Sequence, residues 1–260
     1  MKPTPITPDI SRYPSQFRAL LEGAALYDSS FSPRARVLFI DREGGLFLKS
    51  APKGSLADEA AMGRCFHQKG LGPEVLEYAS LDQDWLLTRK VRGADCLHEA
   101  YLSDPKRLCD TTAELLRMLH DTSPEGCPVN QTEVRIARAR KNYTAGNYDR
   151  SLFPDNWGYA TPEEAWQVVE EQSRYLCADT LLHGDYCLPN IMLDDWKFSG
   201  FIDLDGAGIG DRHIDLFWGI WSLEFNLKTD SWRERFLDAY GREKLEEEKL
   251  RIIAALEVFG

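Results

Sequence analysis

Three oxygen-bearing side chains in the second half of the chain have the types and spacing for phosphoryl chemistry. His183-Gly184-Asp185 is followed by Asn190, five residues after the aspartate, and by Asp203, thirteen residues after the asparagine. A carboxylate such as Asp185 can orient an attacking hydroxyl and receive its proton. The amide oxygen of Asn190 and the carboxylate of Asp203 suit Mg²⁺, a hard cation that prefers oxygen ligands. In phosphoryl transfer from a nucleotide, such an ion bridges and neutralises the phosphate oxygens. A chance His-Gly-Asp turn would account for the first three residues. It would not account for the spaced Asn190, the Gly200-Phe201-Ile202-Asp203 run and an upstream strand ending in Lys49. A Walker-type phosphate loop is excluded, since no G-x-x-x-x-G-K-[ST] occurs.

Stepping outward, a hairpin of Ile191–Leu193 and Phe198–Ile202 joined by 194–197 should fix the separation of Asn190 and Asp203. In the first third, Arg36–Ile40 alternates like a strand, Gly44-Gly45 turns the chain, and Leu46–Lys49 returns. A Ser-rich loop precedes this hairpin, where short hydroxyls and backbone N–H groups can cradle phosphate. Phe17–Leu26 has the apolar spacing of a short helix, and Leu56–Phe66 is rich in helix formers. Glu59 in its first turns is placed to pair with Lys49, with Asp58 as the other choice. After the turn at Asp82, the strand from Trp85 leads to a hinge near Arg89–Ala94. Pro105–Asp121 carries a 3.6-residue apolar stripe. Glu133–Lys141, with Arg135, Arg138, Arg140 and Lys141, reads as a solvated helix face. Thr161-Pro162-Glu163-Glu164 is a helix start in which both glutamates have a structural explanation. His183, His120 and Asp215 read as structural, Asp205 and Asp211 stay ambiguous between roles, and Phe217–Phe225 reads as core.

The net charge of −11 disfavours nucleic acid and anionic membrane and favours cationic partners, although acidity alone also serves solubility. The six cysteines form no C-x-x-C and no zinc spacing with histidine, so they read as reduced thiols. No signal peptide or membrane-spanning run is evident, and a cytoplasmic protein, monomeric or weakly dimeric, is expected.

The Asp-to-Asn spacing is that of the protein-kinase catalytic loop H-R-D-x-x-x-x-N, with Gly184 in place of Arg and Leu204-Asp205 where Phe-Gly would follow the metal aspartate. More closely, His183–Met192, Ser199–Asp203, Asp211–Asp215 and Phe236–Gly241 resemble the aminoglycoside 3′-phosphotransferases, the kanamycin and neomycin kinases, over nearly the whole chain. The resemblance implies a bilobal, protein-kinase-like α+β fold: a small antiparallel β N-lobe at 1–91 with one helix, and a larger, mostly helical C-lobe at 92–260. It implies ATP, or GTP, as donor with Mg²⁺, and O-phosphorylation of an aminoglycoside at its 3′-hydroxyl. Asp185 would be the catalytic carboxylate. Lys49, Glu59 and Ser32 would serve the nucleotide, and Asn190 and Asp203 the metal. Asp155, Glu257 and the terminal carboxylate of Gly260 would meet the drug's ammonium groups, with Glu224 a further candidate. Two arginines frequent in that family are absent: Asp205–Gly208 stands where one follows the metal aspartate, and Trp221 replaces the other. Other readings are a kinase for another cationic alcohol such as choline, or a nucleotide-binding pseudokinase.

Overall fold

The computed structural model describes residues 4–31, 33–148 and 158–260. The chain divides into two compact units, Met1–Arg92 and Gly93–Gly260.

The first unit is built on strands β1 (Thr4–Ile6), β2 (Ala25–Asp28), β3 (Arg36–Asp41), β4 (Leu46–Pro52), β5 (Val75–Ser80) and β6 (Gln83–Arg89). They form one antiparallel sheet in the order β1-β2-β3-β4-β6-β5. Helix α1 (Ser15–Leu21) packs Phe17 and Leu21 against Leu46, Leu48, Leu87 and Trp85. Helix α2 (Ala57–Gln68) covers a second cluster of Ala51, Leu56, Ala60 and Leu86. The pleat explains the division, since successive side chains leave opposite faces of a strand. Leu46 and Leu48 enter one core, whereas Lys49 and Ala51 share the other parity, and Lys49 pairs across the ladder with Leu86. The unit therefore has both helices read from the apolar spacing and helix formers, where the resemblance implied one. The first stops at Leu21 rather than Leu26, because Gly23 takes φ +72° and the chain turns into β2, a strand the helical spacing had concealed.

The second unit begins with β7 (Ala94–Asp95), α3 (Glu99–Leu102), α4 (Pro105–Asp121), α5 (Gln131–Ala145) and α6 (Pro162–Gln172). After β8 (Thr180–Leu182) come the hairpin β9 (Ile191–Asp194) and β10 (Lys197–Phe201), then β11 (Gly208–Gly210). Helices α7 (His213–Leu227), α8 (Arg233–Tyr240) and α9 (Glu247–Glu257) complete it. β10-β9-β7 and β11-β8 are small antiparallel sheets. Helix α4 has the expected bounds: Asp104 accepts from Arg107 N–H at 3.1 Å, Pro105 takes the first turn, and Leu108, Thr112, Leu116 and Leu119 are buried. Helix α6 starts as read, with Thr161 Oγ1 accepting from Glu164 N–H at 3.2 Å. Helix α7 is apolar nearly all round and buries Ile214, Leu216, Phe217, Ile220 and Leu223, while Phe225 near its end is 54% exposed. The run Phe217–Phe225 is thus core only in part.

Cys96, Cys109, Cys177 and Cys187 are free thiols, of which three are buried and Cys177 is exposed. Cys65 and Cys127 are each disulfide-bonded, which corrects the reading of all six as thiols. Among the described residues, no helix is long and apolar enough to cross a membrane.

Candidate active site

The loop after β8 is held by its backbone. Asp215, fully buried at the start of α7, accepts from His183 N–H and Gly184 N–H, each at 2.7 Å. His120 on α4 reaches the same carboxylate through Nε2 at 3.2 Å, and the Tyr240 hydroxyl lies 2.8 Å from its Nδ1. Burial holds the His120 imidazole below its ordinary value, against the opposing pull of Asp215, so it is neutral and donates Nε2–H. His120, Asp215 and His183 are structural as read.

Gly184 is required where it stands. Its φ is +81°, and a Cβ there would lie 1.7 Å from the Gly206 carbonyl oxygen. Its own carbonyl accepts from Arg135 on α5. The peptide entering Asp185 is therefore gripped from both sides.

The side chains follow from this frame. Asp185 N–H donates to His183 Nδ1 at 3.2 Å, which places the ring proton on Nε2, and Nε2 donates to the Ile202 carbonyl at 3.0 Å. Ile202 N–H donates in turn to the Asn190 carbonyl at 3.0 Å. Asp203 is thereby fixed relative to the loop that carries Asp185 and Asn190. Asn190 Nδ2 donates to Asp185 Oδ2 and to the Asp185 backbone carbonyl, both at 2.9 Å. With both N–H groups so directed, the amide's remaining capacity is its carbonyl oxygen, the atom a hard cation takes. The Cys187 thiol approaches Asp185 Oδ1 at 3.1 Å, and burial pushes that thiol's pKa far up, so it serves as donor and not as a nucleophile. Asp203 itself is exposed and sits in the left-handed region at φ +58°, a sparsely populated setting for a non-glycine residue.

The hairpin between these residues is anchored at its tip and flank. Asp195 and Trp196 both have positive φ, as a tight two-residue turn demands. Arg107 lies 4.2 Å from the Trp196 ring centroid, and the Tyr101 hydroxyl donates to the Leu193 carbonyl at 2.9 Å.

In the first unit Lys49 Nζ lies 3.0 Å from Glu59 Oε1 and 2.9 Å from Oε2, while Asp58 is exposed. Glu59 is thus the partner. Helix α2 is held in place by Asp84, fully buried, which accepts from Leu56 N–H at 2.9 Å and from the Tyr78 hydroxyl at 3.1 Å. Burial alone would raise its pKa, but N–H bonds from Gly54 and Leu56 and hydroxyls of Ser80 and Tyr78 hold it at about 2. In the Ser-rich loop, Ser30 Oγ accepts from Val37 N–H at 2.9 Å; Ser32 lies outside the described residues.

The expected acceptor residues fall differently. Asp155 lies outside the described residues. Glu257 is not a surface acid: it is buried at the end of α9 and paired with Arg135. Gly260 is exposed, and the Phe259 carbonyl accepts from Asn142 Nδ2 at 2.6 Å. Glu224 is half-buried, and burial raises its pKa. Asp211 resolves as structural, accepting from Cys177 N–H at 2.8 Å and His213 Nδ1 at 2.6 Å. Asp205 is exposed and keeps no resolved role.

Arg135 is the residue sequence reasoning missed. It was read into a solvated face, and Arg138, Arg140 and Lys141 are indeed exposed. The overlooked signal is spacing: Gln131, Thr132, Arg135 and Ala139 are the buried residues of α5 and recur at helical intervals.

The chain belongs to the phosphotransferase enzyme family APH, whose sequence profile matches residues 24–253. It is 48% identical over 254 residues to a probable aminoglycoside 3′-phosphotransferase of Lactococcus lactis, covering 97% of each chain. It is 33% identical over 177 residues to an aminoglycoside 3′-phosphotransferase of Niallia circulans, covering 68% of this chain and 67% of the other. Among solved structures, that of an aminoglycoside-3′-phosphotransferase of type VIII superposes with a TM-score of 0.75 at 26% identity, over 96% of each chain. The α+β, protein-kinase-like fold that the resemblance implies is borne out.

Proposed function

We propose that this phosphotransferase moves the γ-phosphoryl group of ATP to the 3′-hydroxyl of an aminoglycoside, and so inactivates the antibiotic. One observation carries the reading: Asp185, Asn190 and Asp203 are tied into a single hydrogen-bonded frame through His183 and Ile202. The names of the two relatives support the acceptor class.

In the reaction a bond forms between the acceptor oxygen and the γ-phosphorus as the β–γ bridging bond breaks and ADP leaves. Asp185 orients the hydroxyl and takes its proton, and the bonds from Asn190 to Oδ2 and from Cys187 to Oδ1 hold the plane of its carboxylate. Lys49, steadied by Glu59, holds the donor phosphates, with Ser32 assisting. Asn190 and Asp203 fit Mg²⁺ by donor type, and the ion, when bound, offsets charge on the phosphate oxygens. Residues 1–91 thus form the nucleotide-binding lobe and 92–260 the catalytic and acceptor lobe. Asp155 supplies negative field for the ammonium groups, whereas Glu257, spent on Arg135, does not. The working form is a cytoplasmic monomer or weak dimer.

The test is ADP release, coupled to a spectroscopic readout, with ATP or GTP and with kanamycin, neomycin, choline or no acceptor. The reading expects release with kanamycin and neomycin only. Release with choline alone would move the enzyme to the other cationic-alcohol class, and nucleotide binding without release would make it a pseudokinase.

A further inference from the structure

Arg135 and Glu257 form a buried ion pair between α5 and α9, and the same guanidinium donates to the Gly184 carbonyl in the catalytic loop. Both side chains are less than a tenth exposed. Such a charge is costly to desolvate, and Arg135 Nε finds no hydrogen-bond partner among the described residues. A staple between two helices needs only one of the two bonds. The second bond ends on the Gly184–Asp185 peptide, whose N–H donates to His183 Nδ1, while Asp215 holds the Gly184 N–H one peptide earlier. The second oxygen of Glu257 takes no hydrogen bond among the described residues.

We infer that Arg135 is a positioning residue: it ties the C-terminal helix, through Glu257, to the peptide group before Asp185, so that the loop's geometry depends on how α9 is seated. The inference rests on the proposed phosphotransfer for its kinetic consequence, but not for its structural one. A planar fork can hold a carboxylate and a carbonyl together, whereas a lysine in that place would be a point charge without the fork.

The experiment compares Arg135→Met, Arg135→Lys and the double variant Arg135→Met/Glu257→Leu with the unsubstituted protein. Amide hydrogen exchange is followed at residues 183–187 with no ligand present, together with the melting temperature and the kinetics with ATP and kanamycin. The single Met variant strands a buried carboxylate and melts early. The double variant removes that stranded charge and regains its melting temperature. Exchange in 183–187 nevertheless stays faster in the double variant than in the unsubstituted protein. Its kcat at saturating kanamycin stays about 10–100-fold low, as a misplaced catalytic group requires, while KM for ATP is unchanged. Arg135→Lys recovers part of kcat. A double variant with normal melting, normal exchange at 183–187 and normal kcat would reduce the pair to a staple and overturn the inference. Absence of turnover by the unsubstituted protein would count against the aminoglycoside reading alone, because hydrogen exchange still decides the positioning claim.

Discussion

Two ion pairs, one in each unit, use the same charges for opposite purposes. Lys49–Glu59 joins β4 to α2 across ten residues of sequence, and its lysine is 17% exposed. Arg135–Glu257 joins α5 to α9 across 122 residues, and neither side chain reaches a tenth exposure. A compact ammonium on a flexible stem can turn toward an incoming anion, whereas a planar guanidinium locked between a carboxylate and a carbonyl cannot. The first pair is suited to presenting charge to a ligand. The second is suited to fixing backbone, and its removal exposes the cost of an unpaired buried charge.

The largest effect is expected at Asp185, on the loop whose carbonyl Arg135 holds. Asp185→Asn should lower kcat by about 10³-fold or more while ATP affinity, measured by calorimetry, stays near that of the unsubstituted enzyme. Next comes the asymmetry in stability. Arg135→Met should cost about 3–5 kcal/mol in denaturant unfolding, because it leaves Glu257 buried and unpaired. Glu59→Gln keeps an amide oxygen beside a lysine that is 17% exposed and should cost less, about 1–2 kcal/mol. Equal losses would erase the distinction. Lys49→Met should sharpen it from the other side, lowering kcat/KM for ATP by about 10²-fold with little change in melting temperature.

The smallest effect is a pH dependence. His120 is held neutral in the fold, whereas the unfolded chain takes up its proton near pH 6.5. The unfolded state then binds more protons, so stability should fall as pH drops below about 6.5, by up to one proton's slope. In His120→Gln that contribution should be missing from the melting curve between pH 7 and 5.

What could be read from the chain follows the same division. Asp185, Asn190 and Asp203 were legible because phosphoryl chemistry demands those types at short, fixed spacing on one loop and one hairpin. Lys49 and Glu59 were legible because strand and helix adjoin in sequence. Arg135 was not, since three exposed basic neighbours mask it and its partner lies near the far end of the chain. Glu257 was found as an acid near the C-terminus, but its burial against Arg135 is a tertiary fact with no local pattern. Strand β2 was lost to a helix reading because the apolar spacing runs on past Gly23, where only the backbone's left-handed turn ends the helix.

The account is tested most directly by ³¹P NMR of a reaction containing the enzyme, ATP, Mg²⁺ and kanamycin. It predicts one new phosphomonoester signal coupled to the proton at the 3′ position, absent when Asp185→Asn replaces the unsubstituted enzyme. No phosphorylated kanamycin, or the same signal from the Asp185→Asn enzyme, would contradict it.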